Sequence, residues 1–402
     1  MYILEFFLHA IFYGLGAYLL LNCLYLLFFS LAGHKKLKPL KEADTRKRKM
    51  CVMIPAYKED TVILETSKEA LHHPYGGEAE VIVIADGLKP ETVQTIRGYG
   101  VRVIEVQFEK STKGKALAWA LDALGIQEGY EVAVVLDVDN IMGAGFLEEV
   151  NKAFGAGYQV VQAHRTAKNL NSSFAFLAAC NEEINNHLFR KSQFAVGLSS
   201  ALIGSGMAFN YGYLKKLLVD IGDTVGEDKE LDFRIARDQV KIAFLNQVYV
   251  YDEKVENPQA FTQQRTRWIA AQVQFMKKYA WEGVDQLIRF GNIEFFNKVV
   301  QAFLVPRMLL MGVLGVFFLQ SFFNPYGPPL FFWFCLGLML VAALLFSLPK
   351  HLYRDRRLAE ALLRLPYAVF CMGKALFQIK KAKASFLPTP HKSQAFTPPV
   401  KS

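Results

Sequence analysis

Val132-Ala133-Val134-Val135-Leu136-Asp137-Val138-Asp139 is a run of apolar residues that stops at closely spaced carboxylates. A short, continuous apolar run rich in β-branched residues marks a strand buried on both faces, as when helices cover both sides of a parallel sheet. Working outward, Val81-Ile82-Val83-Ile84-Ala85 repeats the pattern and also stops at a carboxylate, Asp86. Cys51-Val52-Met53-Ile54 is a further short run, ending at Pro55. A polar stretch over about 59–72, Glu91–Tyr99 and the strongly periodic Lys113–Leu124 read as helices, and Val101–Val106 as another strand. This β-α-β-α-β rhythm predicts an α/β fold, a mostly parallel sheet with helices on both faces.

In such sheets ligands bind outside the carboxyl ends of the strands. Pro55–Glu59, Asp86 and Asp137/Asp139 are all expected at that edge. Each has a plainer reading. Asp86-Gly87 can be a simple turn, and Asp137 can cap a helix near Gly145–Ala153. Alternate residues of an extended segment point to opposite sides, so Asp137 and Asp139 serve one ligand only if the segment bends or they divide the work. One carboxylate would then face a sugar or ribose while the other holds a divalent ion. Mg²⁺ and Mn²⁺ favour oxygen ligands and keep water and phosphate oxygens in their shell, which makes a metal-bridged diphosphate the natural occupant. Lys113-Gly114-Lys115 opens a helix, where free amides favour anions, and is otherwise a basic first turn. It lacks the first glycine and the final Ser/Thr of a P-loop, which argues against that class of ATPase.

Either side of this region the chain turns apolar. Ile3–Ala32 exceeds the roughly 20 residues that cross a hydrocarbon core. Basic residues follow it rather than precede it, and no small-residue cleavage site ends it, so a retained anchor over 1–33 is preferred to a signal peptide. Val299–Phe323, with Pro306 and Arg307 near its start, and Leu330–Leu348 flank the turn Asn324-Pro325-Tyr326-Gly327-Pro328-Pro329 and read as a transmembrane hairpin over about 299–348. Basic clusters at 34–38, 46–49 and 350–357 place both flanks in the cytosol by the positive-inside rule. The expected organisation is an anchor, a cytosolic catalytic-type domain over 50–280, and interface helices, hairpin and cytosolic tail over 281–402. Leu358–Ile379, interrupted by Arg364, Pro366 and Lys374, is read as an amphipathic interface helix.

The formal net charge of +9 lies mostly in these juxtamembrane segments and suits anionic lipid headgroups. No nucleic-acid-binding fingerprint is present. Cys23, Cys51, Cys180, Cys335 and Cys371 are scattered, with no CxxC pair, and support neither a disulfide framework nor a zinc site. His72-His73 precede a Pro-Tyr-Gly-Gly turn and read as loop residues.

Later motifs complete an ordered set: Gly204-Ser205-Gly206-Met207-Ala208-Phe209, Gly226-Glu227-Asp228 and Gln264-Arg265-Thr266-Arg267-Trp268. From Ile54-Pro55-Ala56-Tyr57-Lys58-Glu59 through Trp268, the chain resembles the membrane-integrated family 2 glycosyltransferases, the group that includes cellulose, chitin, hyaluronan and poly-N-acetylglucosamine synthases. The resemblance implies a GT-A fold, a nucleotide-diphosphate sugar donor and inversion at the anomeric carbon. It places Ala56, Tyr57 and Glu59 at the nucleobase, Asp86 at the uridine and Lys113 near the nucleotide. Asp137 and Asp139 take the DxD role, with Asp139 on Mg²⁺ or Mn²⁺. Asp228 is implied as catalytic base, and Arg267 as a partner of the diphosphate. Gly204, Ser205, Gly206, Glu227, Gln264 and Trp268 line the acceptor side.

The implied reaction moves glucose or N-acetylglucosamine from a UDP-sugar onto a growing β-linked polysaccharide at the cytosolic face of an inner or plasma membrane. One alternative is transfer of a single sugar to a lipid or lipid-linked glycan. Another is a non-catalytic membrane protein that binds nucleotide sugars. Plainer readings exist here too: Glu227-Asp228 as a helix cap, and the Gln264–Trp268 motif as an amphipathic helix start. Ala85-Asp86-Gly87 departs from the double aspartate and serine of many relatives. The tail Ser385–Lys392 matches the cellulose synthase gating loop only loosely. Three spans enclose a polysaccharide channel only with help from interface helices, a homo-oligomer or an accessory membrane subunit.

Overall fold

A computed structural model describes residues 2–223 and 226–382; the tail segment Ser385–Lys392 lies outside them. After α1 (Tyr2–Ala32), the elements β1 (Met50–Tyr57), α2 (Val62–Leu71), β2 (Ala79–Asp86), α3 (Pro90–Gly98), β3 (Arg102–Val106), α4 (Lys113–Leu124) and β4 (Val132–Val135) alternate as the apolar pattern predicts. Then come β5 (Ile141–Met142), α5 (Phe146–Gly155), β6 (Val160–Ala167), α6 (Ser173–Asn185), a π-helical turn at Asn186–Lys191 and α7 (Ser192–Ala195). β7 (Met207–Asn210), α8 (Tyr211–Leu218), α9 (Glu227–Arg237) and β8 (Ile242–Asp252) close the sheet-bearing part.

The sheet runs β3-β2-β1-β4-β7-β6-β8-β5. Its first four strands are parallel, as is β6 with β8, while β7 pairs antiparallel to both β4 and β6 and β5 pairs antiparallel to β8. Alternate residues of β4 enter different cores: Val132 and Val134 on one side, Ala133 and Val135 on the other. β1 divides likewise, Val52 and Ile54 against Cys51 and Met53. Burial on both faces is why these strands carry no polar alternation.

Pro55 does not end β1, contrary to the sequence reading. Met50 and Lys58 donate their backbone N–H groups to the β2 side, so by alternation position 55 faces β4. β4 pairs with β1 only as far as Met53. The missing proline N–H therefore removes no ladder bond.

Helices make up the rest: α10 (Pro258–Phe290), α11 (Ile293–Phe303), α12 (Arg307–Gln320), α13 (Leu330–Ser347), α14 (Lys350–Tyr353) and α15 (Arg357–Ala382). Tyr2–Ala32 and Leu330–Ser347 are each long and apolar enough to cross a membrane. They pack together with α12 around Leu19, Leu26, Leu314, Trp333 and Leu340. The first limb of the expected hairpin is not one helix. α11 and α12 meet at a 55° bend, because proline lacks an N–H and pushes its preceding residue out of the helical region. The groups freed there are satisfied: Gln272 Nε2 donates to the carbonyls of Ala302 (3.1 Å) and Leu304 (2.6 Å), and Val305 N–H donates to Asn22 Oδ1 at 2.8 Å.

Candidate functional site

The parallel order puts the ends of β1, β2 and β4 along one edge of the sheet, and a cavity of about 660 Å³ opens there. Its walls reach from Tyr57 and Asp86 at the strand ends to Leu26 of α1 and Pro306 at the helix break. Ala56, Tyr57, Glu59, Asp86, Lys113, Asp137, Asp139, Gly204, Glu227, Asp228, Gln264, Arg267 and Trp268 all line it. Ser205 and Gly206 do not. Ser205 is fully buried and supports the edge from behind: its Oγ accepts from Asp137 N–H at 2.8 Å and donates to Asn140 Oδ1. Gly206 has φ +62°, and a Cβ there would lie 2.6 Å from Val250 Cγ1.

Asp86 is the last residue of β2 and accepts a hydrogen bond from Ser111 Oγ. Beyond Leu136 the chain leaves the strand and turns, with Asn140 N–H donating to Asp137 O at 3.1 Å. That bend meets the condition for Asp137 and Asp139 to serve one site. Asp137 does not cap α5, whose N-cap is Gly145 with no side-chain cap bond. Asp139 is buried, and its carboxylate accepts from Asn140 Nδ2 (2.9 Å) and Glu253 N–H (2.8 Å).

Thr112 caps α4 by accepting from Lys115 N–H, which fixes Lys113 at the first helical position. The Lys113 ammonium donates to Asp137 and to the Gly204 carbonyl, and stands 3.8 Å from Glu227. Burial works to lower its pKa, but Asp137 and Glu227 outweigh burial and hold the ammonium above its ordinary range. Glu227 responds in the opposite sense. Burial, with Asp228 adding repulsion against the pull of Lys113, pushes its carboxyl from the usual 4.5 up to about 7.

Glu227 and Asp228 occupy the first turn of α9 rather than its cap, which is Gly226 in a left-handed conformation (φ +96°). Asp228 Oδ1 accepts from Lys229 N–H at 2.8 Å. A Cβ on Gly226 would meet Ala271 and Phe275 of α10 at 3.4 Å, an ordinary contact, so it is the left-handed backbone and not the space that calls for glycine. Phe233 stacks on Tyr279 with centroids 4.2 Å apart, which fixes the helix bearing Asp228 against the helix bearing Gln264–Trp268.

Sequence reasoning missed a second charged group in the same cavity. Glu182 of α6 pairs with Arg165 (2.9 Å), Arg190 (3.4 Å) and Lys254 (3.7 Å), and Asp252 pairs with Lys254 (2.5 Å) and Arg165 (3.6 Å). Burial works to raise the Glu182 carboxyl, but these cations outweigh it and hold it well below the ordinary carboxylate range. Arg265 lies between the ring faces of Phe261 (4.8 Å) and Trp268 (4.2 Å). Burial brings its guanidinium down to about 10. The available signal was Arg307: an ionisable side chain inside an apolar run is a functional-site hypothesis by default.

Among the described residues no group of three or more His, Cys, Asp or Glu side chains is placed to hold a metal. The Asp137/Asp139 pair nevertheless suits Mg²⁺ or Mn²⁺, since such ions bind through one or two carboxylates plus substrate phosphates.

Comparison with known proteins gives one domain-level result. The family model described as "Glycosyltransferase like family 2" matches residues 48–271, more than half of the chain. No curated protein matches the sequence. Among solved structures, a mannosyltransferase from Pyrobaculum calidifontis in complex with GDP-Man and Mn²⁺ is 17% identical; the alignment covers 85% of this chain and 98% of that one, with a TM-score of 0.49. S. aureus TarS 1-349 is 16% identical over 84% of this chain and 91% of that one, with a TM-score of 0.39. Glucosyl-3-phosphoglycerate synthase from Mycobacterium tuberculosis, with Mn²⁺ and UDP, is 21% identical over 54% and 74%, with a TM-score of 0.35. At these scores the three likenesses carry no argument about substrate.

Proposed function

This chain belongs to glycosyltransferase family 2, and from that premise we propose that it inverts the anomeric centre of a UDP-sugar, glucose or N-acetylglucosamine, while transferring it to an acceptor at the cytosolic membrane face. The observation that carries this reading is the meeting, in one cavity, of Asp86, Asp137/Asp139, Lys113, Asp228 and Gln264–Trp268.

In the proposed reaction an acceptor hydroxyl attacks the anomeric carbon from the face opposite the diphosphate. The new C–O bond forms as the C–O bond to phosphate breaks, UDP leaves with that electron pair, and Asp228 takes the hydroxyl proton. A divalent ion on Asp139 and Asp137 would supply positive charge to the leaving diphosphate. Arg267 adds to that charge, and Lys113 keeps the surrounding carboxylates from repelling the donor. Glu227 supports this arrangement from the acceptor side, and Trp268, 41% exposed, offers ring surface to a sugar.

The membrane assignment rests on α1 and α13, with α11–α12 as a broken third span. It places 1–33 as anchor, 50–280 as the cytosolic domain and the rest as interface and spanning helices. α15, packed on α6, α10 and α12, is the interface helix. A growing β-linked polysaccharide is one acceptor; a lipid-linked glycan is the second, favoured by the cavity's apolar lining at Leu26, Val305, Pro306 and Met308 beside the helix break. Radiolabelled transfer from a panel of UDP-sugars tests both. A ladder or polymer supports processive growth, and a single organic-extractable product supports the lipid-linked acceptor. Absence of UDP release with every donor would refute the reading.

A further inference from the structure

The membrane end of the cavity holds more positive charge than its carboxylates neutralise. Arg165, Arg190 and Lys254 already share Glu182 and Asp252. Arg265 and Arg307 line the same cavity; Glu182 attracts both, but it is already shared by three cations, and among the described residues neither arginine has a carboxylate at ion-pair distance. Arg265 is only 6% exposed, and its Nε has no hydrogen-bond partner. Arg307 Nη2 donates to Asn181 Oδ1 (2.7 Å) and Asn185 Oδ1 (2.8 Å), while its Nη1 has none. A buried cation without a counter-ion is costly, and is kept where a ligand supplies the missing charge.

Three features narrow the ligand. Guanidinium groups match phosphate oxygens in geometry and charge. Leu26, Val305, Pro306, Met308 and Met372 line the cavity beside them, an apolar surface contributed by α1, the α11–α12 break and α15. Arg265 stacks on one face of Trp268, so the cation sits beside the ring surface offered to the acceptor sugar, where a phosphate next to that sugar would meet it. We propose that Arg265 and Arg307 bind the phosphate of an amphiphilic acceptor whose tail extends toward the membrane between α1, α11–α12 and α15. Asn181 and Asn185 position the Arg307 guanidinium. The acceptor's sugar hydroxyl, beyond that phosphate, is what Asp228 would deprotonate. This inference rests on the lipid-linked reading of the acceptor.

The test uses the full chain in maltoside micelles with dodecyl phosphate, dodecanol and inorganic phosphate as probes. Dodecyl phosphate should bind, and should bind in the presence of saturating UDP and Mn²⁺. Arg307→Gln and Arg265→Met should each weaken it roughly tenfold or more. Dodecanol and inorganic phosphate should bind far more weakly than dodecyl phosphate. Neutralising an uncompensated buried cation should leave the Tm of the ligand-free protein unchanged or higher, and abolish the rise that dodecyl phosphate produces. Arg265→Lys and Arg307→Lys, which keep the charge but lose the guanidinium fork, should bind dodecyl phosphate more weakly than the wild type and more tightly than the neutral variants, and they cover the case in which a neutral variant does not fold. The proposal is overturned if the neutral variants bind dodecyl phosphate as the wild type does, if UDP displaces it, or if inorganic phosphate binds equally well. Failure of UDP and Mn²⁺ to bind would instead strike the donor assignment and leave the anion site separately measurable.

Discussion

The two ends of the cavity solve the same problem with opposite signs. At the strand edge, Asp137, Glu227 and Asp228 surround one lysine. At the end beside the α11–α12 break, arginines surround Glu182. Buried charge is costly unless paired, and an excess of one sign is offset when a ligand brings the other. On the proposed reading, the acidic end takes a cation-bearing donor and the basic end an anion.

The largest effect should come from the acidic end. Asp228→Asn is expected to reduce sugar transfer by roughly 10²–10⁴-fold, as for loss of a general base, while UDP affinity, followed by titration calorimetry, stays near wild type. Asp139→Asn should remove the Mn²⁺ dependence of UDP binding, as would chelation of the wild type; equal UDP binding with and without Mn²⁺ in the wild type would break the donor side of the comparison.

Lys113→Met separates charge balance from chemistry. Leaving Asp137, Glu227 and Asp228 uncompensated should cost about 2 kcal/mol of stability in denaturant titration, the scale of a charge-assisted hydrogen bond. An unchanged midpoint would show that the lysine is not what holds the carboxylates together. At the junction of the two ends, Gln272→Leu leaves the carbonyls of Ala302 and Leu304 without their donor, and should cost about 1–2 kcal/mol.

The smallest effect is a slope. Glu227 has a folded pKa near 7 against an ordinary 4.5, so the folded protein binds more protons than the unfolded chain between those values. Stability contributed by this group is present below pH 4.5 and is lost as pH rises toward 7. Tm measured from pH 5 to 7 should fall more steeply in the wild type than in Glu227→Gln. Parallel curves would remove the claim that burial and Asp228 raise this carboxyl.

The acidic end was the legible one. Asp86 and Asp137 close apolar runs, and a strand buried on both faces announces where it ends. The boundaries of Lys113–Leu124 agree with α4 because periodicity and the Thr112 cap point to the same place. The basic end was not legible, since Arg165, Glu182, Lys254 and Arg307 come from β6, α6, the segment after β8 and the helix break, far apart in the chain. Pro306 marks the 55° bend locally, but which distant segments that bend meets, and the antiparallel placement of β7 between β4 and β6, are set by tertiary packing that no local pattern encodes. Pro55 misled for a related reason: whether a proline ends a strand depends on which neighbour its missing N–H faces.

Inverting transfer with Asp228 as the base is tested most directly by the anomeric configuration of the product formed from an α-linked UDP-sugar, read by NMR for the wild type and for Asp228→Asn. A β-linked product from the wild type and none from the variant is the predicted result. An α-linked product, or undiminished transfer by a folded Asp228→Asn protein, would contradict it.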